Sequence, residues 1–485
     1  MGLPGIVIAA LKGGSGKTII SVGITAALKQ KGQTVAPFKK GPDYIDAGWL
    51  SLAAGRPCYN LDTFLVSQAC VQHSFSTHTH PGDIAIIEGN RGLYDGIDDA
   101  GSTSTAELAK QLNLPVLLCI DCTKSTRTMA AVVGGCCQFD PGVRIRGVIL
   151  NRVAGLRHEN VLRGNIERYC NIPVLGAIPK LDSRKFPERH MGLVPTAEHG
   201  WATQSITAAA EMASRYIDLN AVGQIMEDEA RTTPDPAGFP NPCEQHEAPP
   251  PDKDHKRPLI GIIQDSAFQF YYPENIEALI AAGADITITS PLKAARPPSE
   301  IDALYIGGGF PETHAEALAN NDDFRRQVRH LADTGLPIYA ECGGLMYLGE
   351  TLVLRQHRYP MCGVLPVTFG FSRKPQGHGY TMVDVDRPNP YFDVGCQLRG
   401  HEFHYSQVLE WRGDDGDTAF SMKRGNGFAH KRDGLCRRQV LATYTHLHAL
   451  GAPSWAPAVV NQARLYRNRT KKGQRFPTAG KRRLH

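Results

Sequence analysis

Residues 5–18, GIVIAALKGGSGKT, constrain the fold more tightly than any other stretch of the chain. A short run of apolar residues leads at once into a glycine turn. The apolar-periodic sequence IISVGITAALKQKG follows it. A strand, a glycine turn and a helix in that order direct backbone N–H groups at the helix N-terminus towards an anion. The run is too apolar for a strand with one wet face, so it fits a parallel sheet covered by helices on both sides. The turn makes Lys12, Gly13, Gly14, Ser15, Gly16, Lys17 and Thr18 candidate nucleotide-binding residues. Lys17 is positioned to reach the β- and γ-phosphates of ATP, and the Thr18 hydroxyl to bind Mg²⁺. The pattern GxxxxGK[ST] would put glycine at Leu11; this chain has instead the deviant form KGGxGK[ST], with an added Lys12.

The alternation of strand and helix patterns continues. Apolar runs starting at Thr34, Asp83, Val116 and Gly147 read as further strands, separated by segments long enough for crossover helices. Residues 227–257 are rich in proline and charge and poor in large apolar side chains, the composition of a linker. Beyond them the alternation restarts, with strands expected from Leu259, Ala284, Ala303 and Pro337. The organisation expected is therefore two tandem three-layer α/β domains. They cover residues 1–226 and 258–464, and a basic, disordered tail follows over 465–485. The net charge of +5 is mild and concentrated in that tail, so no basic face for nucleic acid is expected. No apolar run is long enough to span a membrane, and the apolar N-terminus lacks the basic flank of an export signal. The twelve cysteines show no paired framework, so reduced thiols and a cytoplasmic location are expected.

Two sets of residues carry chemistry. Glu88 ends the run DIAIIE, where an acid can complete a metal shell. Asp95 follows on the glycine-rich EGNRGLYDG, and KKGPDYID supplies Lys39, Lys40, Asp43 and Asp46 at another strand end. In an open parallel sheet such strand ends line the ligand crevice. In the second half, PIYAECGGLMYLG places Cys342 between a strand and Gly343-Gly344, the pattern of a nucleophile elbow. The turn YIGGGFPE offers Gly309 as a partner to Gly343 in an oxyanion hole. LATYTHLHAL offers His446 and His448 as a base, and on a strand only one of the two would face the thiol. HEFHY, residues 401–405, has the spacing of a metal pair but no further ligand nearby, and reads rather as substrate contact or structure.

Together these segments resemble the cobyrinate a,c-diamide synthases. The likeness runs through KKGPDYID, EGNRGLYDG, NRVAG, ERHMGLVP, FYYPEN, YIGGGFPE, AECGGLMYLG, RGHEFHYS and TYTHLH. The resemblance implies a P-loop NTPase domain like dethiobiotin synthetase, followed by a class I glutamine amidotransferase domain. It also implies ATP- and glutamine-dependent amidation of the a and c acetates of cobyrinate in cobalamin biosynthesis. By motif, Cys342 is the nucleophile and His446 its base, and Asn151 recognises adenine. Thr18, Asp43 and Glu88 bind the metal, and Asp43, Ile45 and Asp95 meet substrate or the acyl-phosphate intermediate; Arg91, which departs from the motif, is a candidate contact for a substrate carboxylate. The implied partners are a tetrapyrrole polycarboxylic acid and L-glutamine, and a homodimer is admitted.

The sequence also departs from the family. Lys12 is more typical of partitioning-type ATPases, so an ATP-switch protein is the competing class. His448 stands where many class I amidotransferases carry Glu. Arg91 replaces a smaller residue and leaves hydrogenobyrinate, nickel-sirohydrochlorin or sirohaem open as the acid.

Overall fold

The structure, a computed structural model, describes residues 3–180, 201–232 and 256–471, with the backbone of two short strands, Glu188–Arg189 and Gly192–Leu193. The chain falls into two units, Met1–Pro242 and Cys243–His485.

In the first unit strands and helices alternate. The chain runs β1 (Gly5–Ala10), α1 (Lys17–Gln30), β2 (Val35–Lys40), α2 (Tyr44–Ala54), β3 (Tyr59–Leu61), α3 (Gln68–His78), β4 (Ile84–Glu88) and α4 (Thr105–Gln111). It continues with β5 (Val116–Asp121), α5 (Thr128–Phe139), β6 (Ile145–Val153), α6 (Leu156–Cys170) and β7 (Val174–Pro179). The short pair β8 (Glu188–Arg189) and β9 (Gly192–Leu193) precedes α7 (Ala202–Tyr216) and α8 (Leu219–Thr232). The sheet order is β3-β2-β4-β1-β5-β6-β7, and every pairing is parallel. All six residues of β1 are buried, which is why the strand reads as unbroken apolar sequence. The strand order reverses beside β1, and its C-terminal end therefore opens onto the ligand crevice of a doubly wound sheet. On one face α1 packs against α7, closely enough that a Cβ on Gly23 would stand 2.6 Å from the Ala209 carbonyl oxygen.

The expected linker starts too early. Residues 227–232 complete α8, because Leu219, Val222, Met226 and Ala230 recur at helical spacing and are buried against the unit's core. The charged residues between them sit on the outer face and masked that periodicity. The rest of the linker, 233–255, and the ERHMGLVP side chains lie outside the described residues.

The second unit begins with β10 (Leu259–Ile263), α9 (Pro273–Ala281), β11 (Asp285–Thr289) and β12 (Ala303–Ile306). Then come α10 (Ala315–Asn320), α11 (Asp322–Asp333), β13 (Ile338–Glu341) and α12 (Gly343–Leu348). Strands follow: β14 (Thr351–Leu354), β15 (His357–Pro360), β16 (Val367–Phe371), β17 (Gly377–Val385), β18 (Gln397–His404) and β19 (Ser406–Trp411). The last elements are β20 (Thr418–Arg424), β21 (Arg432–Arg437), β22 (Val440–Thr443), β23 (His446–Leu447) and α13 (Trp455–Lys471). The main sheet is ordered β11-β10-β12-β13-β22-β21-β20-β17-β18-β23. It is parallel from β11 to β22 and antiparallel beyond. A smaller sheet, β15-β14-β16-β19, stands apart.

The expected tail also starts too early, since α13 runs on to Lys471. Arg467 ties this last stretch down by donating to the carbonyls of Lys256 at 3.0 Å and Arg257 at 2.6 Å. Residues 472–485 lie outside the described residues. No helix among the described residues is long and apolar enough to cross a membrane.

The core of this unit closes around Trp455, which is buried and meets Tyr305 and Tyr339 edge-on, each at 5.3 Å. Trp455→Ala is expected to destabilise the second unit by about 3–5 kcal/mol, the range for emptying an aromatic core site. Urea denaturation followed by near-UV circular dichroism measures it.

Candidate active sites

In the first unit the phosphate loop joins β1 to α1. Gly14 and Gly16 hold φ of 72° and 91°, a left-handed conformation that glycine adopts without penalty. A Cβ on Gly16 would also overlap the Asn151 side chain. Asn151 donates to the Ser15 carbonyl at 2.8 Å, so it buttresses the loop from β6. That contact was not foreseen from the motif, which suggested only adenine recognition. Ser15 is buried and its hydroxyl closes the turn on the Lys12 carbonyl at 3.0 Å, while the Lys12 side chain is exposed.

Parallel register brings the charged residues together. β1 pairs Ile8 with Glu88, and β2 pairs Lys39 with Glu88. The Thr18 hydroxyl donates to Glu88 Oε1 at 2.7 Å, and Lys39 Nζ lies 3.3 Å from the same oxygen and 3.1 Å from Asp46. Burial pushes Glu88 up to about 7, even though Lys39 opposes it. Burial also disfavours a charged Lys39, but Glu88 and Asp46 outweigh that and hold its ammonium well above the ordinary range. Asp43 caps α2 by accepting from Ile45 N at 2.8 Å and Asp46 N at 2.9 Å. Burial, then the neighbouring Asp46, push its carboxyl up to about 6. Lys17 Nζ donates to the Arg91 carbonyl at 2.7 Å, and burial, then Lys39, hold that ammonium below the ordinary range. The Arg91 side chain is exposed, and Asp95 accepts from Gly92 N at 2.9 Å to close the turn that carries Arg91. Thr18, Lys17, Glu88, Asp43 and the Arg91 loop thus meet at one sheet edge.

In the second unit Cys342 sits between β13 and α12 with φ 45° and ψ −95°, a strained conformation for a residue with a side chain. It is buried. Its N–H donates to the Thr443 carbonyl at 2.7 Å, and its Sγ lies 3.9 Å from the Phe403 carbonyl oxygen. Burial, then Glu312 and Glu341, hold the thiol well above its ordinary range. Gly343 abuts Gly309, whose N atom would stand 2.9 Å from a Cβ placed on Gly343. Gly308 abuts His446: a Cβ there would overlap the ring's Cε1 and lie 3.3 Å from Nε2. The Gly307–309 turn therefore touches both Gly343 and His446.

His446 is held by its surroundings. Asp433, fully buried, accepts from Thr443 Oγ1 at 2.7 Å, Tyr444 N at 3.0 Å, and Thr445 N and Oγ1 at 2.9 Å each. This anchors the segment that ends in His446. The His401 ring stacks on His446 at 4.8 Å, and His404 stacks on Tyr444 at 3.6 Å, so HEFHY packs around the segment that carries His446. His448 turns instead to Glu274, 3.5 Å away. The sequence reading missed Glu341 and the stacking of His401, whose partners Leu447 and His446 lie far along the chain, and it missed Asp433, whose partners Thr443 to Thr445 follow only 10 to 12 residues on but are linked to it by no spacing rule.

Gly308→Ala is expected to displace His446 and, if the glutamine hydrolysis implied by the resemblance runs through this histidine, to reduce it at least about tenfold without loss of secondary structure. The steady-state hydrolysis rate and far-UV circular dichroism check this together.

Known proteins match both units. Residues 6–194 match the family of the CobQ/CobB/MinD/ParA nucleotide binding domain, and residues 259–454 that of the CobB/CobQ-like glutamine amidotransferase domain. The cobyrinate a,c-diamide synthase of Magnetococcus marinus is 42% identical over 96% of this chain and 98% of its own length. Those of Archaeoglobus fulgidus and Syntrophotalea carbinolica are each 37% identical over 96% of this chain, covering 98% and 99% of their own lengths. With likeness sustained through both units and over nearly the full length of these relatives, the chain belongs to the cobyrinate a,c-diamide synthase family.

Proposed function

We propose that this protein is an ATP- and glutamine-dependent ligase that converts the a and c acetate carboxylates of cobyrinate into carboxamides in the cytoplasm, with Cys342 and His446 as its glutaminase residues. The reading is supported by the family, whose curated relatives carry the name cobyrinate a,c-diamide synthase. The observation that carries it is one chain holding both a strained, buried Cys342, whose neighbour Gly343 borders the same glycine turn as His446, and a phosphate loop whose Thr18 meets Glu88.

In the second unit, Cys342 Sγ attacks the side-chain amide carbon of glutamine while its proton passes to His446. The N–H groups of Gly309 and Gly343 are the donors for the oxyanion. His446 returns the proton to the departing ammonia, and water then hydrolyses the thioester to glutamate and free thiol. In the first unit, a substrate carboxylate oxygen attacks the γ-phosphorus of ATP, and ADP leaves. Ammonia displaces phosphate from the acyl phosphate, forming the C–N bond. Lys17 and the loop N–H groups hold the phosphates, and Asn151 keeps the loop in shape. Arg91, Asp95, Asp43 and Ile45 line the edge where the carboxylate approaches.

Thr18, Glu88 and Asp43 are the residues that would hold Mg²⁺. All three offer hard oxygen donors, and Glu88 Oε2 is buried with no hydrogen-bond partner among the described residues. Bound there, the cation supplies charge neutralisation at the β- and γ-phosphate oxygens.

Cys342→Ala should abolish glutamine-driven amidation and spare amidation driven by added ammonia. Lys17→Ala should lower both by at least about 10²-fold, the scale of losing one preorganised charge at a transferring phosphoryl group. Mass spectrometry of the product, with cobyrinate, hydrogenobyrinate and sirohaem as acceptors, counts the amides formed. Two amides on cobyrinate are expected. Amides on another acid alone would reassign the substrate, and equal loss of both nitrogen sources in Cys342→Ala would overturn the two-site scheme.

A further inference from the structure

Behind Cys342 lies a buried group of ionisable side chains drawn from four segments. His446 and His448 flank Leu447 on and after β23; His401 is on β18, Glu341 ends β13, and Glu274 opens α9. Tyr272 lies beside them, its hydroxyl 3.3 Å from His401 Nδ1 and its ring 4.6 Å from that of His448. The two carboxylates serve different histidines. Glu341 Oε2 is 3.4 Å from His446 Nδ1, and Glu274 Oε1 is 3.5 Å from His448 Nε2. His448 Nδ1 accepts from Leu450 N at 3.3 Å, which leaves its Nε2 edge facing Glu274.

Glu341 is fixed in place. Its Oε1 accepts from the Tyr339 hydroxyl at 3.0 Å and from Leu447 N at 3.1 Å, and its Oε2 is 3.4 Å from the Tyr305 hydroxyl. The Leu447 bond ties the carboxylate to the strand that carries His446. Since strand residues two apart share a face, Tyr339 and Glu341 project to the same side of β13, while Cys342 turns away at the elbow. The opposite edge of the His446 ring looks elsewhere: its Nε2 lies over Gly308, beside Gly309 and Gly343. His401 stacks on the ring but adds no positive charge, because burial, then His446 and His448, keep it well below the ordinary imidazole range.

We propose that Glu341, the residue immediately before the nucleophile, is the positioning residue of the glutamine-hydrolysing site. It takes the Nδ1 proton of His446 in a hydrogen bond and so presents Nε2, unprotonated, towards Cys342. When His446 takes the thiol proton, the same carboxylate stabilises the imidazolium. Glu274 and His448 form a separate couple that does not substitute for it. The inference rests on the reading of Cys342 and His446 as the glutaminase pair.

The test is glutamine hydrolysis by the full-length protein, with kcat and KM measured across the pH range in which imidazole titrates, for wild type, Glu341→Gln, Glu341→Asp and Cys342→Ala. Glu341→Gln is expected to lower kcat by about 10²-fold or more, with KM for glutamine nearly unchanged. The acidic limb of its profile should move to lower pH, because removing an anion beside an imidazole lowers that imidazole's pKa. Ammonia-driven amidation should stay at the wild-type level. Glu341→Asp keeps the charge but draws it back, so a smaller loss of kcat with the limb unmoved is expected. This variant carries the test if Glu341→Gln does not fold. Wild-type kcat and an unmoved limb in Glu341→Gln, wild-type kcat in Glu341→Asp, or a loss confined to KM would each overturn the proposal. Hydrolysis lost in Cys342→Ala but intact in Glu341→Gln overturns this inference alone; hydrolysis surviving Cys342→Ala overturns the reading of the site as well.

Discussion

Tyr444 and Thr445 are all the chain between β22 and β23, and the three Cα steps from Thr443 to His446 span at most about 11 Å. Yet β22 lies in the middle of the ten-stranded sheet, beside β13, and β23 lies at its far edge, beside β18. The antiparallel half of the sheet must therefore curl until β18 returns to the end of β13. That curl sets His401 against His446 and the Phe403 carbonyl near the Cys342 thiol. Asp433 holds the bend, since its carboxylate gathers the donors of the connecting residues, which would otherwise be buried without partners.

The first unit solves a different problem. A parallel sheet collects its strand ends at one edge, and here three of those ends bring Lys39, Glu88 and the phosphate loop together. Removing one partner from such a buried pair costs roughly 3–5 kcal/mol, because the other charge is left uncompensated. Lys39 and Glu88 thus hold each other in the crevice, and Thr18 is tied to the same carboxylate. Burial pushes the Glu88 carboxyl up, and its second oxygen has no hydrogen-bond partner among the described residues.

The parallel strands were legible because both their faces are buried, so GIVIAA, VLLCID, LIGII and PIYAE each stand out as apolar runs between turns. Helix α8 was lost to its own charge: its apolar residues are spaced for a core face, but the acidic residues between them read as linker. The antiparallel strands of the second unit, one face wet and many in half-polar sequence such as GHGYTMVDV, gave no comparable signal. The elbow around Cys342 could be read because a thiol between a strand and two glycines has few other uses.

The sequence by itself determined the two α/β units, the phosphate loop and the turn at Cys342, since each is a local pattern carried by neighbouring residues. The tertiary structure decided which histidine lies against the glycine turn that also meets Gly343, and which carboxylate faces its ring. Glu341 and His446 are 105 residues apart in the chain. No local periodicity relates them, and only the parallel pairing of β13 with β22 and the turn after Thr443 bring the carboxylate to the ring.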